Sequence, residues 1–303
     1  RGNTRLGRWS RGLGDVYKRQ ILTLDGAVRV SVAATTLLVE ELRRRQQTDP
    51  TATVAIGRLA TAAALMGSLL KGGQRTGLTV EGNGPLQRIQ AETDAHGHVR
   101  ATLKVAHAGL PPRAGRYDVA GAVGQAGFLH VVKDLDLKEP YRGMVRLVSS
   151  EIAEDLAYYF TTSEQTPSSV ALGVELGRQA EVVAAGGYLL QLMPDADDAV
   201  AERLSAQLAE LPPTTTMLRQ GLTPEAIAGR LLEDFPYRVL GSTELEFACN
   251  CSQRQILSLL RTLGADELDR LIEEDDGAAV TCEYCKEVYT VTADVLRELR
   301  ARL

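Results

Sequence analysis

The sequence predicts an α+β protein, in which an antiparallel-sheet N-terminal domain with packed helices is followed by a helical linker and a small cysteine-containing C-terminal domain. Three observations lead to this prediction. Short alternating segments separated by turn residues fill residues 21–194, as is typical of antiparallel sheets. Apolar residues recur at helical spacing within residues 195–245. All four cysteines lie within residues 246–303.

The composition is that of an ordinary globular protein. The chain has 303 residues, of which 44% are hydrophobic and 24% charged, enough for two domains. A net charge of -5 disfavours binding to a nucleic-acid backbone, and we expect no apolar run to approach the ~20 residues of a membrane span. Four clustered cysteines favour a metal site in a reducing cytoplasm. We therefore predict a cytoplasmic protein that binds neither nucleic acid nor membrane.

Residues 1–20 do not fit the rest of the chain. They contain six basic residues against one acidic residue, hold the only tryptophan, Trp9, and show no hydrophobic period. No apolar segment suitable for a signal peptide is present, and a basic nucleic-acid arm is conceivable on charge alone. Residues 10–20 resemble a translated sequencing adaptor. We therefore expect residues 1–20 to be non-native, to pack against nothing and to pair with no core strand.

The N-terminal domain reads as alternating strands with interspersed helices. Val28, Val30 and Val32 alternate with polar residues and predict a strand. A helix over residues 51–71 is apolar on nearly all sides, which places it inside the fold. We expect the helices to gather on one side of a single sheet. The remaining predicted elements are helices at 36–47 and 151–160 and strands at 76–81, 86–92, 98–104, 128–132, 144–148, 169–175 and 182–193.

The linker, residues 195–245, predicts two amphipathic helices. Pro212 and Pro213 end the first helix, and Thr223 with Pro224 begins the second. Isolated helices of this length are marginal in water, so we expect them to dock on the sheet of the N-terminal domain and to be a candidate client surface when released. The apolar side chains of this surface are Val200, Leu204, Leu208, Leu211, Ile227 and Leu231.

The C-terminal domain contains a C-x-C pair, Cys249 and Cys251, and a C-x-x-C pair, Cys282 and Cys285, separated by thirty residues. Four thiols in two tight pairs suit one tetrahedral Zn²⁺, because thiolate sulfur is a preferred ligand of this ion. With all four positions filled by cysteine, such a site has no open position for a substrate. Two interpretations remain open. The zinc is either purely structural in a domain too small to be secure on its core alone, or part of a redox switch, since oxidation of the ligands would expel it.

Catalytic machinery is hard to find in this sequence. The four histidines are scattered, and Ser163 lacks the G-x-S-x-G motif of a hydrolase nucleophile. No phosphate-binding loop is present either. We predict that the protein is not an enzyme and has no catalytic residue.

The cysteine pattern resembles that of the 33 kDa chaperonins, the heat-shock protein 33 family. Residues 134–138, 163–168 and 184–194 are also similar to that family, the last two reading Ser-Glu-Gln-Thr-Pro-Ser and Ala-Ala-Gly-Gly-Tyr-Leu-Leu-Gln-Leu-Met-Pro. The resemblance covers residues 21–303 and departs from the family only in residues 1–20.

This resemblance implies a redox-regulated, ATP-independent holdase chaperone. In the reduced, inactive state the four cysteines would hold one Zn²⁺ per chain. On oxidation, the resemblance implies disulfides Cys249–Cys251 and Cys282–Cys285, loss of zinc and unfolding of the linker. The exposed surface would then bind unfolded or misfolding client proteins, with the chain acting as a homodimer.

Two alternatives from other classes remain. A zinc-ribbon nucleic-acid-binding protein would need a basic face near the metal, whereas residues 266–276 are strongly acidic. A thiol oxidoreductase using Cys282 and Cys285 would be expected beside a βαβ unit, and no such unit is predicted.

Overall fold

The computed structural model describes residues 16–113, 115–194 and 196–303, and all structural statements below refer to these residues. The strands are β1 (Tyr17–Thr23), β2 (Val28–Ala34), β3 (Arg75–Gly82), β4 (Arg88–Asp94), β5 (His98–Leu103), β6 (Gly127–Asp134), β7 (Tyr141–Arg146), β8 (Ser168–Leu176), β9 (Val182–Leu192), β10 (Tyr237–Glu244), β11 (Glu246–Phe247), β12 (Gly277–Thr281) and β13 (Val288–Thr292). The helices are α1 (Thr36–Gln46), α2 (Pro50–Met66), α3 (Val119–Val123), α4 (Ala153–Ser163), α5 (Asp198–Glu210), α6 (Thr214–Arg219), α7 (Pro224–Leu231), α8 (Gln253–Arg261), α9 (Ala265–Glu273) and α10 (Ala293–Arg300).

The strands of the N-terminal domain form two sheets, where the sequence predicted one. The first sheet has the order β10-β1-β2-β9-β8 and the second has the order β11-β5-β4-β3-β6-β7. All neighbouring pairs are antiparallel except β11, which runs parallel to β5. The α+β class is therefore confirmed. The single sheet is wrong, because alternation identifies a strand but not the neighbour with which it pairs.

Helix α2 lies between the two sheets. It packs on β2, β8 and β9 of the first sheet and on β3, β4 and β5 of the second, so nearly all its side chains are buried. Together with the 3₁₀ turn Gly67–Leu69, it is long and apolar enough to cross a membrane. This corrects the expectation that no apolar run approaches that length. The interior position of α2 explains its composition, since both of its faces meet protein.

The linker helices cover the opposite face of the first sheet. Helix α6 packs on β8 and β9, α7 packs on β1 and β2, and α5 packs on α7. Helices therefore lie on both sides of this sheet, and the expectation that they gather on one side is wrong. The linker also contains a third helix, α6, and strand β10, which pairs with β1; neither was predicted.

Strand β1 contradicts the expectation for residues 1–20 in part. Residues Tyr17 to Gln20 pair with both β2 and β10, and Lys18 is only 2% exposed. The strand pairing is made by backbone N–H and C=O groups, so it can form whether the side chains are basic or apolar. Trp9 and the rest of residues 1–15 lie outside the described residues.

The turn from β10 into β11 leads the chain to the cysteines. Gly97 has φ +93°, and a Cβ at this position would lie 2.0 Å from the Glu244 carbonyl oxygen. Its own carbonyl accepts a hydrogen bond from the Glu246 N–H at 3.1 Å. A residue without a side chain is needed here, and the close approach places β11 beside β5.

The C-terminal domain has a small core of its own. Helices α8, α9 and α10 and the β12–β13 hairpin enclose five buried side chains. They are Ile256, Leu260, Leu268, Val291 and Leu296. So small a core supplies little stability by itself.

Candidate metal centre

Two short loops carry the four cysteines. Cys249 and Cys251 lie between β11 and α8, and Cys282 and Cys285 lie in the turn that joins β12 to β13. We call residues 282–286 the knuckle. The Cys282 N–H donates to the Glu287 carbonyl and the Lys286 N–H donates to the Cys282 carbonyl, each at 2.9 Å. These bonds give the knuckle a fixed shape.

The four sulfur atoms converge on one centre, as expected from the sequence. All four lie within 4.8 Å of one another. The Sγ atoms of Cys249 and Cys282 are 3.7 Å apart, and those of Cys251 and Cys285 are 3.2 Å apart. Sulfurs ~2.3 Å from a tetrahedral Zn²⁺ are separated by about 3.8 Å. The arrangement therefore fits a four-coordinate zinc site with small adjustments.

Two side chains donate hydrogen bonds to these sulfurs. The Tyr289 hydroxyl donates to Cys251 Sγ at 3.1 Å, and Arg100 Nη1 donates to Cys249 Sγ at 3.7 Å. Burial alone would raise the pKa of Cys249, but the hydrogen bonds from Cys251 and Arg100 lower the pKa of this thiol to about 7. The environment therefore favours a thiolate at Cys249.

At Cys251 and Cys285, the effect of burial on the pKa outweighs that of the hydrogen bonds. Burial raises the pKa of Cys251, although the hydrogen bonds with Tyr289 and Cys285 partly offset it. Burial raises the pKa of Cys285 more strongly, and there the neighbouring sulfurs add to the effect. Four sulfurs this close cannot all ionise without a compensating charge. A divalent cation provides that charge and would favour the thiolate form of every cysteine in the cluster.

The knuckle rests on the N-terminal domain through its backbone. Gln46 Nε2 donates to the Glu283 carbonyl at 3.0 Å and to the Tyr284 carbonyl at 2.8 Å. Arg45 Nη1 donates to the Cys285 carbonyl at 3.2 Å. The Thr102 hydroxyl also donates to the Glu283 carbonyl, at 3.0 Å. Three consecutive carbonyl groups of the knuckle are thus held by α1 and β5.

The Tyr284 side chain provides a second attachment. Its hydroxyl donates to Glu92 Oε1 at 2.6 Å, and the Arg100 guanidinium lies 4.3 Å from the centre of its ring. Arg100 in turn donates to Glu92 Oε2 at 2.9 Å and 2.6 Å. Sequence reasoning did not identify Gln46, Glu92, Arg100, Thr102 or Tyr284 as site residues. No local pattern could reveal them, because their partners lie between 149 and 238 residues away along the chain.

The six linker side chains predicted as a client surface lie in one apolar cluster. Leu204 is 2% exposed and Ile227 and Leu231 are fully buried. Val200, Leu208 and Leu211 are partly buried at its margin. The cluster joins them to residues of β1, β2 and β9. The linker helices are therefore docked, as expected, although α5 reaches the sheet mainly through α7.

Comparisons with known proteins agree over most of the chain. A family model described as "Hsp33 protein" matches residues 17–292. The 33 kDa chaperonin of Syntrophotalea carbinolica is 51% identical over 282 residues, which are 93% of this chain and 98% of that protein. The 33 kDa chaperonin of Geobacter sulfurreducens is 47% identical over 287 residues, 95% of each chain.

A solved structure extends the similarity to the fold. The crystal structure of the 33 kDa chaperonin (heat shock protein 33 homolog) from Thermotoga maritima superposes with a TM-score of 0.88 at 33% identity, covering 95% of this chain and 99% of that one. The overall fold of this chain is therefore one already seen in a solved 33 kDa chaperonin. On the fold, the cysteine cluster and these relatives together, the chain belongs to the Hsp33 family of chaperones.

Proposed function

We propose that this chain is a redox-regulated, ATP-independent holdase of the cytoplasm that binds unfolded or misfolding proteins and prevents their aggregation. One observation carries the proposal. The four sulfurs meet within 4.8 Å in a small domain that directly follows a linker covering an apolar sheet face. A chemical change at the sulfurs can therefore alter how firmly the linker is held.

In the reduced state, Cys249, Cys251, Cys282 and Cys285 would hold one Zn²⁺ per chain. The ion would cross-link the two loops and offset the repulsion among the thiolates, a contribution of roughly 10–16 kcal/mol in comparable small domains. With only five buried residues in its core, the C-terminal domain depends on that cross-link.

Oxidation would convert each cysteine pair into a disulfide. For Cys249 with Cys251, and likewise for Cys282 with Cys285, two thiolates give up two electrons to hydrogen peroxide, which takes up two protons from the solvent. One S–S bond forms, the O–O bond breaks and two waters leave. Disulfide sulfur is a poor ligand, so the oxidised residues no longer hold a metal. The C-terminal domain loses its cross-link and stops fixing the far end of the linker.

Release of the linker would expose two apolar surfaces at once. One is the stripe containing Leu204, Ile227 and Leu231. The other is the sheet face of Val28 and Val30. Exposed apolar patches of this kind bind unfolded chains and also favour self-association, so we expect the oxidised form to be a homodimer that captures clients without any catalytic step.

The experiment is a light-scattering assay of an aggregating client in the presence of reduced or peroxide-treated protein. We expect suppression only by the oxidised sample, with two disulfides per chain by mass spectrometry. A cysteine-free variant, with serine at all four positions, should lose its response to peroxide, whereas Ser252→Ala, next to a ligand, should keep it. Equal suppression by reduced and oxidised wild-type protein would overturn the proposal.

A further inference from the structure

The last turn of α1 presents donors to the knuckle. Gln46 and Thr102 are only 5% and 3% exposed with the knuckle in place, and both side chains bond to its backbone. Gln46 Nε2 also contacts the Ala101 carbonyl at 3.2 Å, so its amide group faces three carbonyl oxygens and its orientation is determined. This is a built receptor for a loop that exposes consecutive carbonyls.

We propose, building on the redox function above, that Gln46 is a positioning residue that holds the knuckle on the N-terminal domain and so sets how readily the cysteines are oxidised. The Glu283 and Tyr284 carbonyls that it anchors lie between Cys282 and Cys285. A disulfide between these cysteines brings their sulfurs to ~2.05 Å, which requires the intervening peptide groups to turn. While Gln46 holds those groups, ring closure is opposed.

The Tyr284 side chain supports the same arrangement independently. Its 2.6 Å bond to Glu92 and its stacking with Arg100 fasten the knuckle to the sheet face of β4 and β5. Arg100 also contacts Cys249, so the second cysteine loop is tied to the same point. The N-terminal domain therefore controls the sulfur cluster through a direct contact as well as through the linker.

The test compares Gln46→Met with Gln191→Met. Methionine keeps the length of the side chain and removes its donors. Gln191 is an equally buried control, 1% exposed, whose bonds to Arg29 at 2.8 Å and Ser168 at 3.3 Å lie within the N-terminal domain. The readouts are the rate of peroxide-induced zinc release, followed with a metal-sensitive dye, and hydrogen exchange at residues 282–286 of the reduced, zinc-loaded protein.

Loss of two hydrogen bonds to the partly buried Glu283 and Tyr284 carbonyls should raise both rates by about 10-fold, whereas Gln191→Met should leave them at the wild-type values. If Gln46→Met does not fold, Tyr284→Phe replaces it, and we expect faster release there too. Wild-type rates in a folded Gln46→Met protein, or equal changes in Gln191→Met, would overturn the inference. Neither readout depends on chaperone activity, so failure of the holdase proposal would be seen separately in the light-scattering assay.

Discussion

Substitution of Ile227 in the linker tests whether undocking of the linker creates the client-binding surface. This α7 side chain is fully buried against the first sheet. Ile227→Asp removes a buried apolar group worth about 1.5–3 kcal/mol and would bury an unpaired carboxylate at a cost of several kcal/mol. A combined penalty of at least about 4 kcal/mol shifts the balance of docked and undocked linker by roughly a thousandfold.

We expect reduced, zinc-loaded Ile227→Asp to exchange its amide hydrogens rapidly in α5, α6, α7 and β10 and to suppress client aggregation without peroxide. Leu37→Asp, the same chemical change at a position that is 52% exposed on α1, is the matched control and should behave as wild type. Leu204→Asp together with Leu208→Asp should give a smaller effect. Helix α5 packs on α7, so its release would leave α6 and α7 docked on the sheet.

The reasoning would be refuted by one combination of results. That combination is an Ile227→Asp protein that retains its zinc and has a mobile linker, yet suppresses no aggregation until it is oxidised. Undocking of the linker would then not be the step that creates the client surface.

Three further predictions concern single residues. Burial lowers the pKa of Lys18 to about 8; the unfolded chain then binds more protons than the folded chain between pH 8 and 10.5, so stability should rise across that window. Lys18→Met should remove this slope and stabilise the protein at pH 7 by at most about 3 kcal/mol, as measured by urea unfolding. The hydrogen bond from Arg43 lowers the pKa of Glu40 to about 2, so Glu40→Gln should cost roughly 1 kcal/mol above pH 4.5, a difference that vanishes as the pH falls towards 2. Cys285→Ser should weaken metal binding at least tenfold in a chelator competition and lower the melting temperature of the C-terminal domain selectively.

Local patterns predicted much of this fold because they report on local environments. The apolar surface of α2 indicated an interior helix, and the structure buries it between two sheets. The helical spacing of apolar residues in the linker predicted helices with one covered side, and Leu204 is buried in the cluster that they form with the first sheet. The spacing of the four cysteines predicted a common centre, because two closely spaced pairs of thiolates supply the four ligands of one tetrahedral zinc site. The four sulfurs do converge in the structure.

Pairing and docking were beyond local patterns. Strand β10 shows no alternation of buried and exposed residues, because it is an edge strand held by its backbone bonds to β1. Residues Tyr17 to Gln20 were misjudged for the same reason, since composition says little about a ladder formed by main-chain groups. The bonds from Gln46 to the knuckle connect positions 237 and 238 residues apart, and no sequence window contains both partners.

The central claim is that oxidation of the four cysteines frees the linker. The most direct test is one time course after peroxide addition, in which zinc release and hydrogen exchange in α5, α6, α7 and β10 are measured on the same sample. We predict one equivalent of zinc lost per chain, with linker exchange rising at the same rate or immediately afterwards. Complete zinc release with linker exchange unchanged from the reduced protein would contradict the account.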